Sequence, residues 1–355
     1  MCPSRWQHAA TVVDDRDLGG SVDWFERLVG FREQGYDTTQ RQLAVEGDHL
    51  RSLVNGKTYG IGTLELPSLG ELRDRATSLP GNLKVSIVTG DVRKLHREPE
   101  FAGALFQVAS QFNMLEMPSY SVTPEYGVTG YQHDRTQGPA CAIAAGAATI
   151  YRNYFVPIAG GVGQTRDRQL DGLADLGAAL SELTGMTAPD LWTMTNGYAL
   201  AAKAGLQAIA AVLQGANADQ LDAIRTKLRI GVHAGVEVTD ADEPRPVVSQ
   251  AFCSALPVAY TRVPPDLWAP FATLVLEAAY EATLLSAVEN AQAGGSNIVL
   301  LTHLGGGAFG NDDDWIHSAM HRALDQARGW ALDVRIVCYG APSPSVRELA
   351  SSFTC

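Results

Sequence analysis

From Leu83 onward, short apolar segments alternate with segments of helical character, and this alternation is the feature that most constrains the fold. The segments LKVSIVTG, NIVLLTHL and LDVRIVCYG are apolar and β-branched, as buried strands are. A long apolar segment, DLWAPFATLVLEAAYEATLLSAVENAQAGG, predicts a helix that ends at Gly294-Gly295. Strands that alternate with helices predict a mainly parallel or mixed sheet covered on both faces. Ligands of such sheets bind at the loops beyond the carboxyl ends of the strands.

Two parts of the chain depart from this alternation. Residues 1–82 predict an N-terminal α/β extension, with a hairpin turn at Asn55-Gly56 and a helix that begins with a capping box of Ser68 and Glu71. Residues 83–345 predict the main domain. Within it, residues 157–225 are rich in Ala, Leu and Gly and predict a helical insertion that includes NGYALAAKAGLQAIAAVLQG. The segment GPACAIAAGAATIYRNYF predicts a small-residue helix that ends as a strand.

Charge and cysteine usage exclude several classes of protein. The formal net charge is −12, so a nucleic-acid partner is not expected. The most apolar stretch is predicted to be residues 140–150, which is too short to cross a membrane. We therefore expect no membrane partner. The five cysteines are scattered and form no C-x-x-C pair, which argues against a disulfide framework and a zinc site. We expect a cytoplasmic protein with no cofactor.

The segment GGGAFGNDDDW, residues 305–315, follows a predicted strand and precedes a predicted helix. Glycines allow backbone N–H groups to approach an anion closely, and a helix N-terminus adds partial positive charge, so the loop suits a pyrophosphate. The alternative is a glycine-rich turn in which Asp312 or Asp313 caps the helix. The three aspartates at 312–314 also suit a divalent ion, but a solvated start of a helix is the favoured interpretation, and we predict no metal site.

Polar residues also follow two other predicted strands. Asp91 lies just after LKVSIVTG, where it suits either an exocyclic amine of a ligand or an ordinary turn. A long loop follows ALFQVASQF, and loops of this length in compact domains are usually functional or disordered. This loop concentrates polar side chains, namely Asn113, Glu116, Glu125, His133, Asp134, Arg135 and Gln137. Asp134 lies just before a predicted helix, so capping is the competing interpretation.

The histidines give a weaker signal. His303 lies within an apolar strand, where a hydrogen-bonded core histidine is more common than a ligand. His317 and His321 are four residues apart on one helix face, a spacing that can hold a metal, but no third ligand is evident. A surface pair is the favoured interpretation.

Taken in order, these segments resemble the macrodomain superfamily, which binds ADP-ribose on an α/β/α fold. VTGDVRKL resembles the family's first strand end, QVASQFN is similar to a strand of poly(ADP-ribose) glycohydrolases, and THLGGGAFGN resembles their late glycine-rich loop. The resemblance covers roughly residues 83–340. It implies a three-layer α/β/α macrodomain-like mixed sheet, to which the chain adds the helical insertion and the N-terminal extension.

The resemblance also implies roles for individual residues. Asp91, with Val92, binds the adenine amine, Asn113 contacts the distal ribose, Phe309 packs on that ribose, and Glu116 belongs to the ligand-binding set. The diphosphate lies against the late loop, whose predicted contacts are Gly305, Gly306, Gly307, Ala308, Gly310 and Asn311.

Two departures from the glycohydrolase pattern change the expected activity. NMLEMPS stands where the family has a glycine triplet after the loop asparagine, and HDRTQGPACA stands where the glycohydrolases have two catalytic glutamates. The pattern is similar to a divergent branch that removes single ADP-ribose units, including units linked to arginine. We therefore expect ADP-ribose and mono-ADP-ribosylated protein as partners.

Hydrolysis at C1″ of the ribose passes through an oxocarbenium-like transition state and needs a carboxylate. Asp134 is the first choice, Glu125 and Glu116 are second choices, and Asn113 and Gln137 are expected to orient hydroxyls or water. Two alternatives stay open at this point: a non-catalytic module that binds ADP-ribosylated proteins, and a hydrolase of a free ADP-ribose derivative.

Overall fold

The computed structural model describes residues 22–75 and 79–353. Thirteen α-helices lie within this part of the chain: α1 Trp24–Val29, α2 Tyr36–Arg41, α3 Leu69–Arg75, α4 Val92–Leu95, α5 Gln137–Ala144, α6 Gly146–Tyr154, α7 Ala174–Thr184, α8 Ala188–Leu191, α9 Lys203–Gly215, α10 Ala218–Arg225, α11 Pro265–Gln292, α12 Asp313–Gln326 and α13 Pro344–Ser351.

The same part of the chain contains fourteen strands: β1 Leu43–Glu46, β2 His49–Ser52, β3 Thr58–Gly60, β4 Thr63–Glu65, β5 Lys84–Thr89, β6 Leu105–Ala109, β7 Pro157–Ile158, β8 Gly161–Val162, β9 Trp192–Thr195, β10 Tyr198–Ala201, β11 Gly231–Glu237, β12 Val247–Cys253, β13 Ile298–Leu301 and β14 Asp333–Cys338.

Seven of these strands form one mixed sheet in the order β4-β11-β12-β6-β13-β14-β5. The pairs β4–β11 and β11–β12 are antiparallel, and every pair from β12 to β5 is parallel. The carboxyl ends of β12, β6, β13, β14 and β5 therefore meet at one edge of the sheet, where ligands of such sheets bind.

Alternating strand residues point to two different hydrophobic layers, which makes the molecule three layers thick. Leu105, Leu301 and Ile336 pack with α11, α12 and the helices of 174–225 on one face. Phe106 and Leu300 pack with α4, α5 and α6 on the other. The predicted fold class, a mixed α/β sheet covered by helices on both faces, is confirmed.

Helix α11 lies in the larger hydrophobic layer. It is a longer apolar segment than residues 140–150, which were predicted to be the most apolar stretch. It is 28 residues long with a mean hydropathy of 1.4, so length and composition alone would allow it to cross a membrane. However, 89% of its apolar window is buried inside the protein. A core helix of a large sheet needs the same composition, because it is covered on nearly all sides. The most apolar stretch is thus α11 and not residues 140–150.

The N-terminal segment contributes to the main sheet as well as to its own small layer. Strands β2 and β3 form the hairpin predicted at Asn55-Gly56, with Gly56 at φ +72°. The capping box of α3 is present: Glu71 N donates to Ser68 Oγ and Ser68 N donates to a Glu71 carboxylate oxygen. Strand β4 then pairs with β11, so residues 63–65 form an edge of the seven-stranded sheet.

Two local predictions were wrong. Residues 137–154 form two consecutive helices, α5 and α6, and no strand, because Ala- and Gly-rich faces allow both helices to pack closely against the sheet. Within the mainly helical insertion, the start of NGYALAAKAG is strand β10, which pairs with β9 in a hairpin. Asn196 (φ +47°) and Gly197 (φ +78°) form its turn, which the sequence signals by Asn-Gly.

Candidate functional site

A groove runs along the carboxyl edge of the parallel strands. It consists of two cavities, of about 170 and about 480 Å³, which suit a small organic ligand. Five residues line both cavities and form the junction between them: Asp134, Thr136, Gln137, Thr302 and His303. The cavity of about 480 Å³ contains Asp91, and we call it the first cavity, at the first end of the groove. The cavity of about 170 Å³ contains Phe309, and we call it the second cavity, at the second end.

The glycine-rich loop after β13 lines the second cavity mainly with backbone. Gly305, Gly307, Ala308 and Phe309 face it. The loop is held from behind, because Asn311 donates its side-chain amide to Leu256 O (2.8 Å) and Ala259 N donates to Phe309 O (3.0 Å). A backbone fixed in this way presents its N–H groups at no further ordering cost, as an anion site requires.

Not every predicted member of this loop faces the groove. Gly306 packs on His303, where a Cβ would lie 2.2 Å from His303 Nδ1. Gly310 has a φ of +68°, and the Asn311 side chain is buried behind the loop. Gly306, Gly310 and Asn311 therefore shape the loop rather than line the cavity.

The first end of the groove follows β5. Asp91 and Val92 both line it, together with Tyr339 beyond β14. Asp91 is the N-cap of α4, where its Oδ1 accepts a hydrogen bond from Arg93 N at 2.9 Å. The capping role and a ligand-binding role use different carboxylate oxygens, so the two interpretations of Asp91 are compatible.

Asp134 lies at the junction of the two cavities, on the same side of the molecule as the glycine-rich loop. Its Oδ1 accepts a hydrogen bond from Thr136 N (2.8 Å), which turns the chain into α5. Its Oδ2 accepts no hydrogen bond from the described residues. The carboxylate is therefore anchored by one oxygen, while the partly exposed side chain lines the groove.

Gln137 lines the groove, and both polar atoms of its amide group bond to the backbone of β6. Its Oε1 accepts a hydrogen bond from Ala109 N (2.8 Å), and its Nε2 donates to Gln107 O (2.8 Å). The side chain thus extends the hydrogen bonding of β6 and joins the strand end to α5. This geometry favours a structural role over the orientation of a substrate.

Glu116 lies in the wall of the second cavity and is only 1% exposed. Its nearest positive charge is buried Arg152, whose Nη2 lies 3.5 Å from Oε2, too far for a good hydrogen bond. Neither carboxylate oxygen has a hydrogen-bond partner among the described residues. Burial raises the pKa of Glu116 to about 7, although the Arg152 charge opposes that shift.

Two predicted residues are not brought to the groove. Asn113 is fully buried, and its amide donates to Gln169 Oε1 (2.8 Å), which links it to the β9–β10 hairpin. Glu125 accepts a hydrogen bond from Arg166 N (2.8 Å) and lines neither cavity. The predicted contact of Asn113 with a ribose has no support in this geometry, because the insertion covers that side chain.

Three aromatic rings line the second end of the groove, and two of them, Tyr198 and Tyr260, were not predicted from the sequence. Tyr198, Tyr260 and Phe309 line it, with ring centroids 5.2–5.6 Å apart. Burial raises the pKa of both tyrosine hydroxyls and the Asp134 charge adds to the effect, so that carboxylate is close to both rings. Tyr198 comes from the insertion and Tyr260 from the segment after β12, so no sequence spacing connects them.

Charged side chains are unevenly distributed along the groove. The second cavity is lined by two carboxyl groups, Glu116 and Asp134, and by neither Lys nor Arg among the described residues. Arg93 and Arg135 line the first cavity, but Arg93 is already paired with Asp240 at 2.7 Å. Within residues 22–75 and 79–353, no group of three or more His, Cys, Asp and Glu side chains is arranged to hold a metal ion.

No family model and no curated protein matches this chain. The solved structures that it resembles include poly(ADP-ribose) glycohydrolase from Thermomonospora curvata, at 13% identity and a TM-score of 0.43, over 89% of this chain and 94% of the other. Another is poly(ADP-ribose) glycohydrolase from Deinococcus radiodurans in complex with ADP-ribose, at 12% identity and a TM-score of 0.42, over 91% and 97%. Both are glycohydrolases of the kind that the sequence motifs resemble.

Proposed function

We propose that the protein is an ADP-ribosyl hydrolase that removes single ADP-ribose units from modified protein side chains, with the arginine linkage favoured. The observation that carries the proposal is the continuous groove, which brings Asp91, Asp134 and the glycine-rich loop to one edge of the sheet. ADP-ribose has an adenosine end, a central diphosphate and a distal ribose, and the groove offers a suitable surface to each.

Each part of the ligand has a partner in this arrangement. The free oxygen of Asp91 accepts a hydrogen bond from the adenine amine at the first end. The diphosphate lies against the backbone of Gly305 and Gly307, near the junction. The distal ribose packs on Phe309, which places C1″ near Asp134.

Asp134 then assists the hydrolysis. It takes a proton from the attacking water and stabilises the positive charge that develops on the ribose, while the C1″–N bond breaks and the water oxygen bonds to C1″. The released guanidine takes up the proton that Asp134 removed from the water and leaves as a cation. The hydrogen bond from Thr136 N holds the carboxylate in position, and its partial exposure keeps it in contact with water.

The second end of the groove supports arginine as the acceptor. A guanidinium group is a planar cation that packs well on aromatic faces. Tyr198, Tyr260 and Phe309 supply such faces, and Asp134 supplies a nearby negative charge. A wall with no lysine or arginine among its described residues repels no cation.

Incubation of the protein with arginine-, serine- and glutamate-linked ADP-ribosyl proteins tests this proposal. We expect release of free ADP-ribose, fastest from arginine, as measured by chromatography. Release from serine or glutamate alone would overturn the arginine preference. Binding of ADP-ribose without release from any substrate would favour a non-catalytic binding module. Release of phosphate or nicotinamide from free nucleotides would favour a hydrolase of small molecules.

A further inference from the structure

His303 occupies a position in the groove that the proposed reaction does not use. It lies two residues after β13, at the junction, where it lines both cavities, and its side chain is 34% exposed. Its Nδ1 faces the backbone of Gly306, within the glycine-rich loop. A ligand that spans the two cavities must therefore pass the imidazole.

The imidazole has an acidic partner on its other side. Its Nε2 lies 3.4 Å from Asp313 Oδ1, and its ring centroid lies 5.3 Å from that of His317. Burial lowers the pKa of His303, and His317 adds to this shift, while the Asp313 charge opposes it. In the free protein, burial therefore disfavours the charged form of the imidazole.

The groove supplies little positive charge for an anion at its junction. Arg93 is paired with Asp240, and the other charged or titratable groups around the groove are mostly acids. Besides Asp313 and His317 of α12, these groups are Asp91 and Arg93 at α4, Glu116 in the wall, and Asp134 and Arg135 before α5. A diphosphate with two negative charges therefore meets one histidine and one exposed arginine, Arg135.

We propose that His303 takes up a proton when the diphosphate binds, and that the resulting imidazolium is the cationic contact of that diphosphate. This inference rests on the proposed function, because it assumes that ADP-ribose occupies the groove. In the charged form, Nε2–H donates towards Asp313, and the positive ring, which lines both cavities, lies beside the glycine-rich loop that is proposed to hold the diphosphate. The nearby dianion favours the charged imidazole, so binding and proton uptake are coupled.

The sign of the pH dependence follows from this coupling. The complex has the higher histidine pKa, so affinity is greatest below the pKa of the free protein. It falls as pH rises from that value to the pKa of the complex, by at most about tenfold per pH unit. Above the pKa of the complex, affinity no longer depends on this group.

Titration calorimetry with ADP-ribose between pH 5.5 and 8.5 tests the proposal. Measurements at each pH in two buffers of different ionisation enthalpy count the protons taken up. We expect wild-type protein to take up a large fraction of one proton per ligand within this range. We expect His303→Gln to take up almost none, and its loss of affinity relative to wild type to be greatest at low pH. His321→Gln is the matched control, because His321 lies on the same helix as His317 but packs on Phe353 outside the groove.

Two further measurements separate the possible results. Asp313→Asn keeps the imidazole and removes its acidic partner, so its proton uptake is expected to shift to lower pH even if His303→Gln fails to fold. Adenosine, which lacks the diphosphate, is expected to bind without proton uptake. ADP-ribose binding with equal uptake in wild type and His303→Gln, or with no uptake in wild type, overturns this inference alone. Absence of ADP-ribose binding to wild type at any pH overturns the proposed function as well.

Discussion

The loop that follows β6 and the loop that follows β13 leave the same edge of the sheet, yet they present different chemistry to the groove. The first, residues 110–136, is rich in polar side chains, and most of these bond within the protein. Gln111, for example, donates to Met117 O and accepts from Met117 N. The second, residues 302–312, contains four glycines and lines the groove largely with the backbone of Gly305 and Gly307, beside the rings of His303 and Phe309.

The difference shows that polar content alone is a poor guide to a binding loop. A buried loop must satisfy its own backbone groups, and nearby polar side chains do so. Asn113 and Gln111 are used in this way, so they are not available to a ligand. Asp134 is the partly exposed exception in the first loop, since it lines the groove and one of its carboxylate oxygens accepts no hydrogen bond from the described residues. Glu116 also lines the groove, but it is 1% exposed and lies beside Arg152.

The substitution with the largest expected effect is at Asp134, the exception in the first loop. Asp134→Asn keeps an acceptor for Thr136 N but removes the negative charge, so turnover should fall about 10²–10⁴-fold. Affinity for ADP-ribose should change little. Single-turnover release from arginine-linked substrate, together with calorimetry, measures both. Glu125→Gln, in the same loop but outside the groove, should keep wild-type turnover, and a reversed result would show that the carboxylate roles are misassigned.

The next largest effect is expected at the buried pair formed by Glu116 of the first loop and Arg152 of α6. Arg152 donates to Met114 O and Thr149 Oγ1, and its guanidinium lies 3.9 Å from the centre of the Phe252 ring. Arg152→Met leaves Glu116 buried without a counter-charge, so we expect a loss of about 3–5 kcal/mol in the free energy of unfolding at pH 8. Chemical denaturation measures the loss. The double variant with Glu116→Gln should recover part of it, and no recovery would mean that the pair is not coupled.

Replacement of one glycine by alanine at each loop compares how tightly the two loops are packed. A Cβ on Gly138 would lie 1.9 Å from Ala109 O, whereas a Cβ on Gly307 meets nothing within 4 Å. Gly138→Ala should therefore lower the free energy of unfolding by about 1–3 kcal/mol, because α5 must move away from β6. Gly307→Ala should leave it within about 0.5 kcal/mol. Equal thermal stability of the two variants would contradict this difference.

The most gradual effect is a pH dependence of stability. Burial raises the pKa of Glu116 in the folded protein from its ordinary value of 4.5 to about 7, and the titratable groups that face it are Arg152, Tyr131 and Cys141. The folded state therefore binds the extra proton, and this contribution to stability is complete below 4.5 and is lost as pH rises to about 7. Its slope is at most about 1.4 kcal/mol per pH unit. Denaturation of wild type and Glu116→Gln at several pH values isolates it, and parallel curves would show that folding does not raise the pKa of Glu116.

Some site residues could be predicted because their local sequence carries the information. Asp91 and Val92 directly follow a strand, and the glycine-rich loop lies between a strand and a helix, so their position at the sheet edge follows from the alternation of elements. His303 was read as a core histidine because it adjoins an apolar strand. The strand ends at Leu301, so His303 lies two residues beyond it in the following loop, where its imidazole lines the groove.

Other site residues could not be predicted because distant segments decide their environment. The sequence predicts Asn113 as a ligand contact, but the β9–β10 hairpin, about 80 residues later, covers it, with Phe112 N donating to Gly197 O. Glu116 becomes a buried carboxyl only because α6 brings Arg152 beside it. Tyr198 meets Phe309 only when the insertion folds over the sheet edge, and Tyr260 reaches the same ring from the segment after β12.

The order and polarity of residues along the chain were enough to determine the layered α/β architecture, the edge at which a ligand would bind and the glycine-rich loop on that edge. These features depend on hydrophobic periodicity and backbone freedom, which act over a few neighbouring residues. Tertiary structure alone decided which polar groups remain free, because burial and hydrogen bonding depend on segments that are far apart in the chain. For that reason, the sequence predicted where the groove lies, and only the folded chain showed that Asp134 and His303 face into it while Asn113 and Glu125 do not.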